Sequence, residues 1–156
     1  MKGVSLLELL VAMGLLSILL LVSVPVTTGF FSQNKLLIRK NEIISALNYA
    51  RNKSVLSHNT LILKSISGGG DWSQGMYLYD SRNTKETSED GEKILHVWKW
   101  SNNSISVAWH GFHSNHYILF NPRVSKLTAS GHFTIRQDKT NHKEKIVLNR
   151  FGRILL

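Results

Sequence analysis

Residues 9–26 read LLVAMGLLSILLLVSVPV, eighteen residues without a charged side chain, and the next charged residue is Lys35. An uncharged apolar run of this length predicts a helix that crosses a membrane. Polar and apolar residues mix after Lys35, so the sequence predicts one membrane anchor followed by one domain. The 156 residues leave room for a single domain of ordinary size.

A cleaved secretory signal is the alternative interpretation of this run, with Lys2 as its basic start. The stretch PVTTGFFSQ at residues 25–33 lacks the small-x-small pattern of a cleavage site. The run is also long for a signal that is removed. We therefore favour a retained anchor.

Apolar residues recur at steps of three and four between Lys35 and Ser57, which is the periodicity of an amphipathic helix. The anchor and this pattern together predict one helix from about Ser5 to about Ser57, ended by the residues 58–60. We expect its first half to span the membrane and its second half to pack on the domain. The apolar positions are Leu36, Leu37, Ile43, Ile44, Leu47 and Ala50, and the polar residues between them include Arg39.

Eight short segments rich in β-branched and aromatic residues follow Thr60, and turn-forming residues separate them. This pattern favours antiparallel strands over βαβ units. GGGDW at residues 68–72 predicts a turn, since glycine adopts positive φ freely, and the polar residues 81–92 predict a surface loop. The predicted fold is α+β, a long N-terminal helix packed on an antiparallel β-rich domain. The segments are LILKSI, MYLYD, KILHVWKW, SISVAW, YILF, HFTIR, KIVL and FGRILL.

Glu8 stands among apolar residues in KGVSLLELL (2–10). A carboxylate at membrane depth is energetically costly, so its presence indicates a functional residue. The spacing of Gly3 from Glu8, ahead of the uncharged run, resembles the class III signal of type IV pilins and type II secretion pseudopilins. The resemblance implies that a prepilin peptidase cuts after Gly3 and methylates the new terminus at Val4, where the family usually has Phe. It also implies that Glu8 guides assembly, because its carboxylate can pair with the amino terminus of a neighbouring subunit at low dielectric.

Two strings in the second half of the chain, GDWSQG (70–75) and IVLNRFGRI (146–154), resemble the GspH/FimT group of minor pseudopilins. The resemblance implies a pilin-like fold with a leader at 1–3 and a transmembrane, fibre-core half-helix at 4–34. An amphipathic half-helix at 35–58 and a β-rich pilin domain at 59–156 follow. It also implies a single-pass protein of the bacterial inner membrane with a periplasmic domain. The positive-inside rule alone would instead keep the domain in the cytoplasm.

The function implied by the resemblance is structural. The chain would be a minor pilin or pseudopilin that assembles into, or primes, a type II secretion pseudopilus or a type IV pilus. Its implied partners are other minor and major pilins or pseudopilins, the prepilin peptidase, the inner-membrane assembly platform and the lipid bilayer. No cofactor is expected. An ordinary single-pass membrane protein without a fibre is a third interpretation.

The charge of the chain indicates a second function. There are 19 Lys and Arg against 10 Asp and Glu, a formal charge of +9, and residues 121–156 hold eight basic residues against two acidic ones. Such a cluster could neutralise phosphates and give salt-dependent DNA binding, but we favour a solvated basic surface as its explanation. In competence members of the family a Gly-Arg-x-Arg tail binds DNA, whereas residues 152–155 read GRIL. The alternative function is thus a DNA-binding minor pilin for natural transformation, with candidates Arg150, Arg153, Lys143 and Lys145.

Other site chemistries find little support in the sequence. Cysteine is absent, which excludes disulfides and thiolate catalysis. His110, His113 and His116 lie at steps of three with no adjacent carboxylate, so we expect a polar loop and no metal site. Neither a nucleophile elbow nor a carboxylate pair is present, and we expect no enzyme. Trp98 and Trp100 are predicted to fill the core.

Overall fold

The computed structural model describes residues 5–81, 94–101, 104–123, 130–138 and 142–155, with the backbone alone at 22–33. Gly3, Val4 and the greater part of the predicted surface loop lie outside the described residues. The chain divides into two compact units, residues 1–35 and 36–156.

The helix α1 extends from Leu6 to Ser57, within one residue of its predicted start and at its predicted end. His58 ends it in the left-handed conformation, with φ 54°. The amides of His58 and Asn59 donate to the carbonyls of Val55 and Ser54 at 3.3 Å each, the pattern of a Schellman cap. No helix in the part of the chain that the structure describes has a stretch long and apolar enough to cross a membrane.

Exposed apolar side chains dominate the described part of the first unit. Twelve large apolar side chains between Leu6 and Leu21 are each more than half exposed. A soluble monomer rarely shows a contiguous apolar surface of this kind, which usually marks contact with a membrane or a partner. The twelve are Leu6, Leu7, Leu9, Leu10, Val11, Met13, Leu15, Leu16, Ile18, Leu19, Leu20 and Leu21.

Eight strands follow the helix, and each contains residues of one of the predicted segments. They are β1 (Leu61–Ser65), β2 (Gly75–Asp80), β3 (Ile94–Lys99), β4 (Ile105–Gly111), β5 (Tyr117–Phe120), β6 (Gly131–Gln137), β7 (Lys143–Leu148) and β8 (Ile154–Leu155).

The strands form two antiparallel sheets, so the predicted α+β class is confirmed. The first sheet has the order β3-β2-β1-β5 and the second has the order β4-β6-β7-β8. Every described pairing is antiparallel. Buried and more exposed residues alternate along β1 and β4, because successive side chains point to opposite faces of a strand.

One hydrophobic core joins the inner faces of both sheets to a buried stripe of α1. In this core the ring of Phe133 on β6 lies 5.4 Å from Trp72 and 4.8 Å from Trp109, measured between ring centroids. The predicted amphipathic half of the helix is thereby confirmed. Its buried apolar residues are Leu36, Ile43, Ala46, Leu47 and Ala50.

Two positions of α1 differ from their predicted sides. Leu37 is half exposed, although the apolar pattern includes it. Arg39 is only 6% exposed, although it was expected among the polar residues. Its guanidinium lies 4.4 Å from the ring centroid of Trp100 and 2.9 Å from the carboxylate of Glu42, so a cation–π contact and an ion pair replace its hydration.

The tryptophan predictions are confirmed in the main. Trp100 is buried, and Trp98 is partly buried against the core. Trp72 is fully buried beside the glycine turn, where Gly68 and Gly69 have φ of 72° and 65°. Its amide donates to the carbonyl of Val107 at 2.9 Å, which fastens the turn to the second sheet.

Candidate functional site

The predicted assembly residue lies at the start of α1. Glu8 is exposed in the first turn, and its amide donates to the carbonyl of Ser5 at 3.0 Å. A carboxylate in a first turn interacts favourably with the helix dipole. Exposed leucines surround it in sequence, so in an apolar medium this charge would need a cationic partner from another molecule.

The hairpin between β7 and β8 carries two of the predicted DNA-binding residues, Arg150 and Arg153. Asn149 builds its turn, since its Oδ1 accepts from the amides of Phe151 and Arg153 at 2.9 Å each. Gly152 closes the turn at a φ of 68°, a conformation that favours glycine. The string NRFGR at 149–153 is therefore turn chemistry, and it exposes both arginines.

Arg153 lines a groove of about 640 Å³ between α1 and this hairpin. On the helix side, the guanidinium of Arg51 donates to the carbonyl of Phe151. That bond fastens the hairpin to α1. The groove is lined by Asn41, Ile44, Asn48, Arg51, Asn52, Gly152, Arg153 and Ile154.

The other two candidates, Lys143 and Lys145, lie on β7 and are exposed on the outer face of the second sheet. The strand register places Arg136 of β6 opposite Lys143, and Thr134 opposite Lys145. One step along the same face, His132 of β6 lies opposite His110 of β4. We call the five side chains His110, His132, Arg136, Lys143 and Lys145 the cationic face.

The histidine pair belongs to this face, and its rings are 5.1 Å apart between centroids. Burial lowers the pKa of His132 below its usual value, and the charges of Lys145 and then His110 lower it further. The lowered pKa disfavours the charged form of His132. Arg136, Lys143 and Lys145 are the Lys and Arg side chains of the face.

Two basic side chains of α1 form ion pairs with carboxylates. Lys40 pairs with Glu144 at 2.7 Å, and Arg39 pairs with Glu42. Among the residues that the structure describes, no carboxylate forms an ion pair with Arg136, Lys143 or Lys145.

Two acidic residues lie close to the strands of the cationic face. Asp138 follows β6 in a turn, and Asp71 bridges to Ala108 at the edge of β4. The Oδ1 of Asp71 accepts from the amide of Ser73. Like charges that lie directly opposite one another, as at Arg136 and Lys143, reduce the stability of the sheet.

The structure separates the four predicted DNA-binding residues into two groups. Arg150 and Arg153 lie at the hairpin, whereas Lys143 begins β7, five residues before its end at Leu148. Five residues of a strand span about 17 Å. Lys143 and Lys145 instead join Arg136, His110 and His132, which are distant in sequence. The alternation of β7 could place both lysines on one face, but only the strand order identifies their neighbours.

The predicted histidine loop needs one correction. His110 lies on β4, because pairing with His132 extends the strand beyond the predicted segment SISVAW. His113 and His116 lie in the loop 112–116 that follows. The indole of Trp109 donates to the carbonyl of Ser114 at 2.9 Å and holds this loop. No group of three His, Asp or Glu side chains with metal-binding geometry occurs in the described ranges.

Comparison with known proteins identifies the family. The family model described as "Type II transport protein GspH" matches residues 40–152. No curated protein sequence matches the chain.

Two crystal structures of the type IV minor pilin FimU from Pseudomonas aeruginosa (strain PAO1) are similar to this fold. The crystal form in space group P21 matches with a TM-score of 0.61 and 18% identity, over 81% of this chain and 91% of that one. The form in space group P65 matches with a TM-score of 0.52 and 18% identity, over 74% and 86%. At this identity the likeness shows the fold alone.

Proposed function

This chain belongs to the GspH family of type II transport proteins, and we propose that it is a minor pilin or pseudopilin subunit. In this proposal a prepilin peptidase cuts after Gly3 and methylates Val4, and the subunit then assembles into, or primes, a type II secretion pseudopilus or a type IV pilus. The observation that carries the proposal is the family match over residues 40–152, which confirms the resemblance to the GspH/FimT group. The pilin-like fold shared with FimU supports it.

The exposed apolar surface of the first unit supports residence in two apolar environments. Twelve large apolar side chains from Leu6 to Leu21 are each more than half exposed. A bilayer would cover them before assembly, and neighbouring helices would cover them in a fibre. Glu8 is the acidic residue of the first turn of this helix. It would be neutralised by the amino terminus of a neighbour in the second environment.

The proposed partners follow from these two environments, the bilayer and the fibre. They are other minor and major pilins or pseudopilins, the prepilin peptidase, the inner-membrane assembly platform and the lipid bilayer. The proposed location is the bacterial inner membrane, with one span and a periplasmic domain, until the subunit enters a fibre. Pilin and pseudopilin subunits are structural components, and we propose no catalytic activity or cofactor for this one.

DNA binding for natural transformation does not form part of the proposal. Its four candidate residues lie on two elements, Arg150 and Arg153 in the hairpin turn and both lysines on the outer face of β7. The tail also lacks the second arginine of the competence pattern.

Isolation of the fibre tests the proposed function. An epitope-tagged chain, produced in its own host at native level, is expected to copurify with the other pilins or pseudopilins in the sheared or detergent-extracted fibre fraction. In a strain without prepilin peptidase we expect it to stay with the membranes. Strains that lack one of the two machines separate a pseudopilus subunit from a pilus subunit. A chain present in the cell but absent from a fibre fraction that contains the other subunits would contradict the proposal.

A further inference from the structure

We propose that the cationic face of the second sheet binds the surface of a bilayer that contains anionic phospholipid. The inference rests on the proposed membrane anchoring, which would hold the domain near such a surface at high effective concentration. The partner is identified by two features that occur together, a cluster of cations and a set of exposed apolar side chains beside it.

The charge of the face is the first feature. Arg136, Lys143 and Lys145 are exposed on neighbouring strands and have no carboxylate partner among the described residues. The face spans three strands about 4.8 Å apart, so the side chains can reach several headgroups at once. Clusters of Lys and Arg at a membrane surface are attracted to anionic lipid, each cation adding to the binding.

The apolar side chains are the second feature. Phe112 follows β4 beyond His110 and is 83% exposed, and Leu155 of β8, which is 54% exposed, lies opposite Val147 on the outer side of β7. His132 lies opposite both His110 and Val147, so Phe112 and Leu155 flank the same end of the outer face.

These two features favour a membrane over a nucleic acid. A DNA duplex offers phosphates to the cations but little that would remove Leu155 and Phe112 from water. The interface of a bilayer offers phosphates and, a few ångströms deeper, acyl chains that accept apolar side chains. The combination of a basic patch with neighbouring apolar residues is typical of peripheral membrane binding.

Because the chain contains no cysteine, a single introduced cysteine can carry a label that reports the position of the face in the full-length protein. Ser106 is exposed on the outer face of β4 opposite Arg136. A fluorophore on Ser106→Cys would report the distance from this face to a quencher on the lipid headgroup. The full chain is reconstituted in vesicles of neutral phosphatidylcholine, or of phosphatidylcholine with one third phosphatidylglycerol. Flotation with the neutral vesicles reports the anchor alone, so failure of the anchor and failure of the face are distinguishable.

We expect strong quenching in the anionic vesicles, weak quenching in the neutral ones, and a loss of the difference at high salt. Lys143→Glu/Lys145→Glu should lower the ratio of surface-bound to free domain at least about tenfold. The matched control Lys53→Glu/Lys99→Glu makes the same change in net charge at two other exposed lysines and should retain the quenching. Phe112→Ser/Leu155→Ser should also reduce it. Circular dichroism of each variant establishes that the domain is folded.

Equal quenching in the two kinds of vesicle would overturn the proposal, and so would an equal loss in the two lysine variants. Labelled duplex and single-stranded oligonucleotides form the competing arm. Three results together would show that the face binds nucleic acid and that the lipid assignment is wrong. The oligonucleotides would bind in a salt-dependent manner, and this binding would be lost in Lys143→Glu/Lys145→Glu but kept in Phe112→Ser/Leu155→Ser. The two kinds of vesicle would give equal quenching.

Discussion

Replacement of Glu8 by alanine is expected to lower incorporation of the subunit into its fibre at least about a hundredfold. In the proposed assembly the Glu8 carboxylate pairs with the amino terminus of a neighbouring subunit in an apolar medium. Loss of one partner of a buried pair costs about 3–5 kcal/mol, because the other charge stays uncompensated. About 1.4 kcal/mol corresponds to a tenfold change in an equilibrium constant. The measurement is the amount of tagged chain in the sheared fibre fraction, relative to the membrane fraction.

Glu42 provides the matched control for this experiment. Glu42→Ala also removes one carboxylate from α1, but its partner Arg39 belongs to the same helix, in the second unit. We expect Glu42→Ala to enter the fibre at a near-normal level, and Glu8→Asp to retain part of the function because it keeps the charge. The thermal unfolding of the domain should be the same in wild type and Glu8→Ala. Normal incorporation of Glu8→Ala would show that the residue has no role in assembly.

Gly75→Ala is expected to lower the free energy of unfolding by about 3 kcal/mol or more. Gly75 has a φ of 128°, and a Cβ there would lie 2.0 Å from the carbonyl oxygen of Trp98 on β3. The backbone strain and the displacement of a core strand each cost about 1–3 kcal/mol. Urea unfolding of the full chain in a mild detergent, followed by tryptophan fluorescence, measures the change.

Two glycines of the turn that precedes β2 supply graded controls. A Cβ at Gly70 would lie 3.9 Å from the nearest neighbour, an ordinary contact, so Gly70→Ala should change stability by less than about 0.5 kcal/mol. Gly68 has a φ of 72° but open space around it, so Gly68→Ala should cost only the local strain of about 1–2 kcal/mol. Equal stability of Gly75→Ala and Gly70→Ala would contradict the close approach of β2 and β3.

The two motifs that resemble the family have local structural reasons. In GDWSQG, Asp71 caps the amide of Ser73, Trp72 enters the core, and Gly75 permits the close approach to β3. In IVLNRFGRI, Asn149 and Gly152 build the hairpin turn. Asp71, Asn149 and Gly152 act within their own turns, so the sequence alone can indicate them, whereas the roles of Trp72 and Gly75 depend on partners distant in sequence.

Local sequence patterns therefore predict the helix and the strands. The burial of single residues and the assembly of the sites depend on partners distant in sequence. The periodicity between Leu36 and Ala50 predicts the buried stripe of the helix, and each of the eight predicted segments contains a strand. The burial of Arg39 could not be predicted, since its stacking partner Trp100 is 61 positions away.

The candidate sites divide in the same way. Glu8 and the leader residues stand in one short string, so the sequence alone supports a hypothesis about them. The cationic face gathers residues from β4, β6 and β7, and only the strand order shows that His110, His132 and Lys145 are neighbours. A count of basic residues near the C terminus merged this face with the separate arginines of the hairpin.

The amino terminus of the mature protein tests the central claim most directly. The chain is isolated from the membranes of cells that contain prepilin peptidase, and its N-terminal peptide is analysed by mass spectrometry. We predict a mature chain that begins at Val4 with one methyl group on its α-amino nitrogen. We also predict that Gly3→Arg leaves the leader in place. A membrane-bound chain that still begins at Met1 or Lys2, or that begins downstream of the apolar run, would contradict the assignment as a processed pilin or pseudopilin subunit.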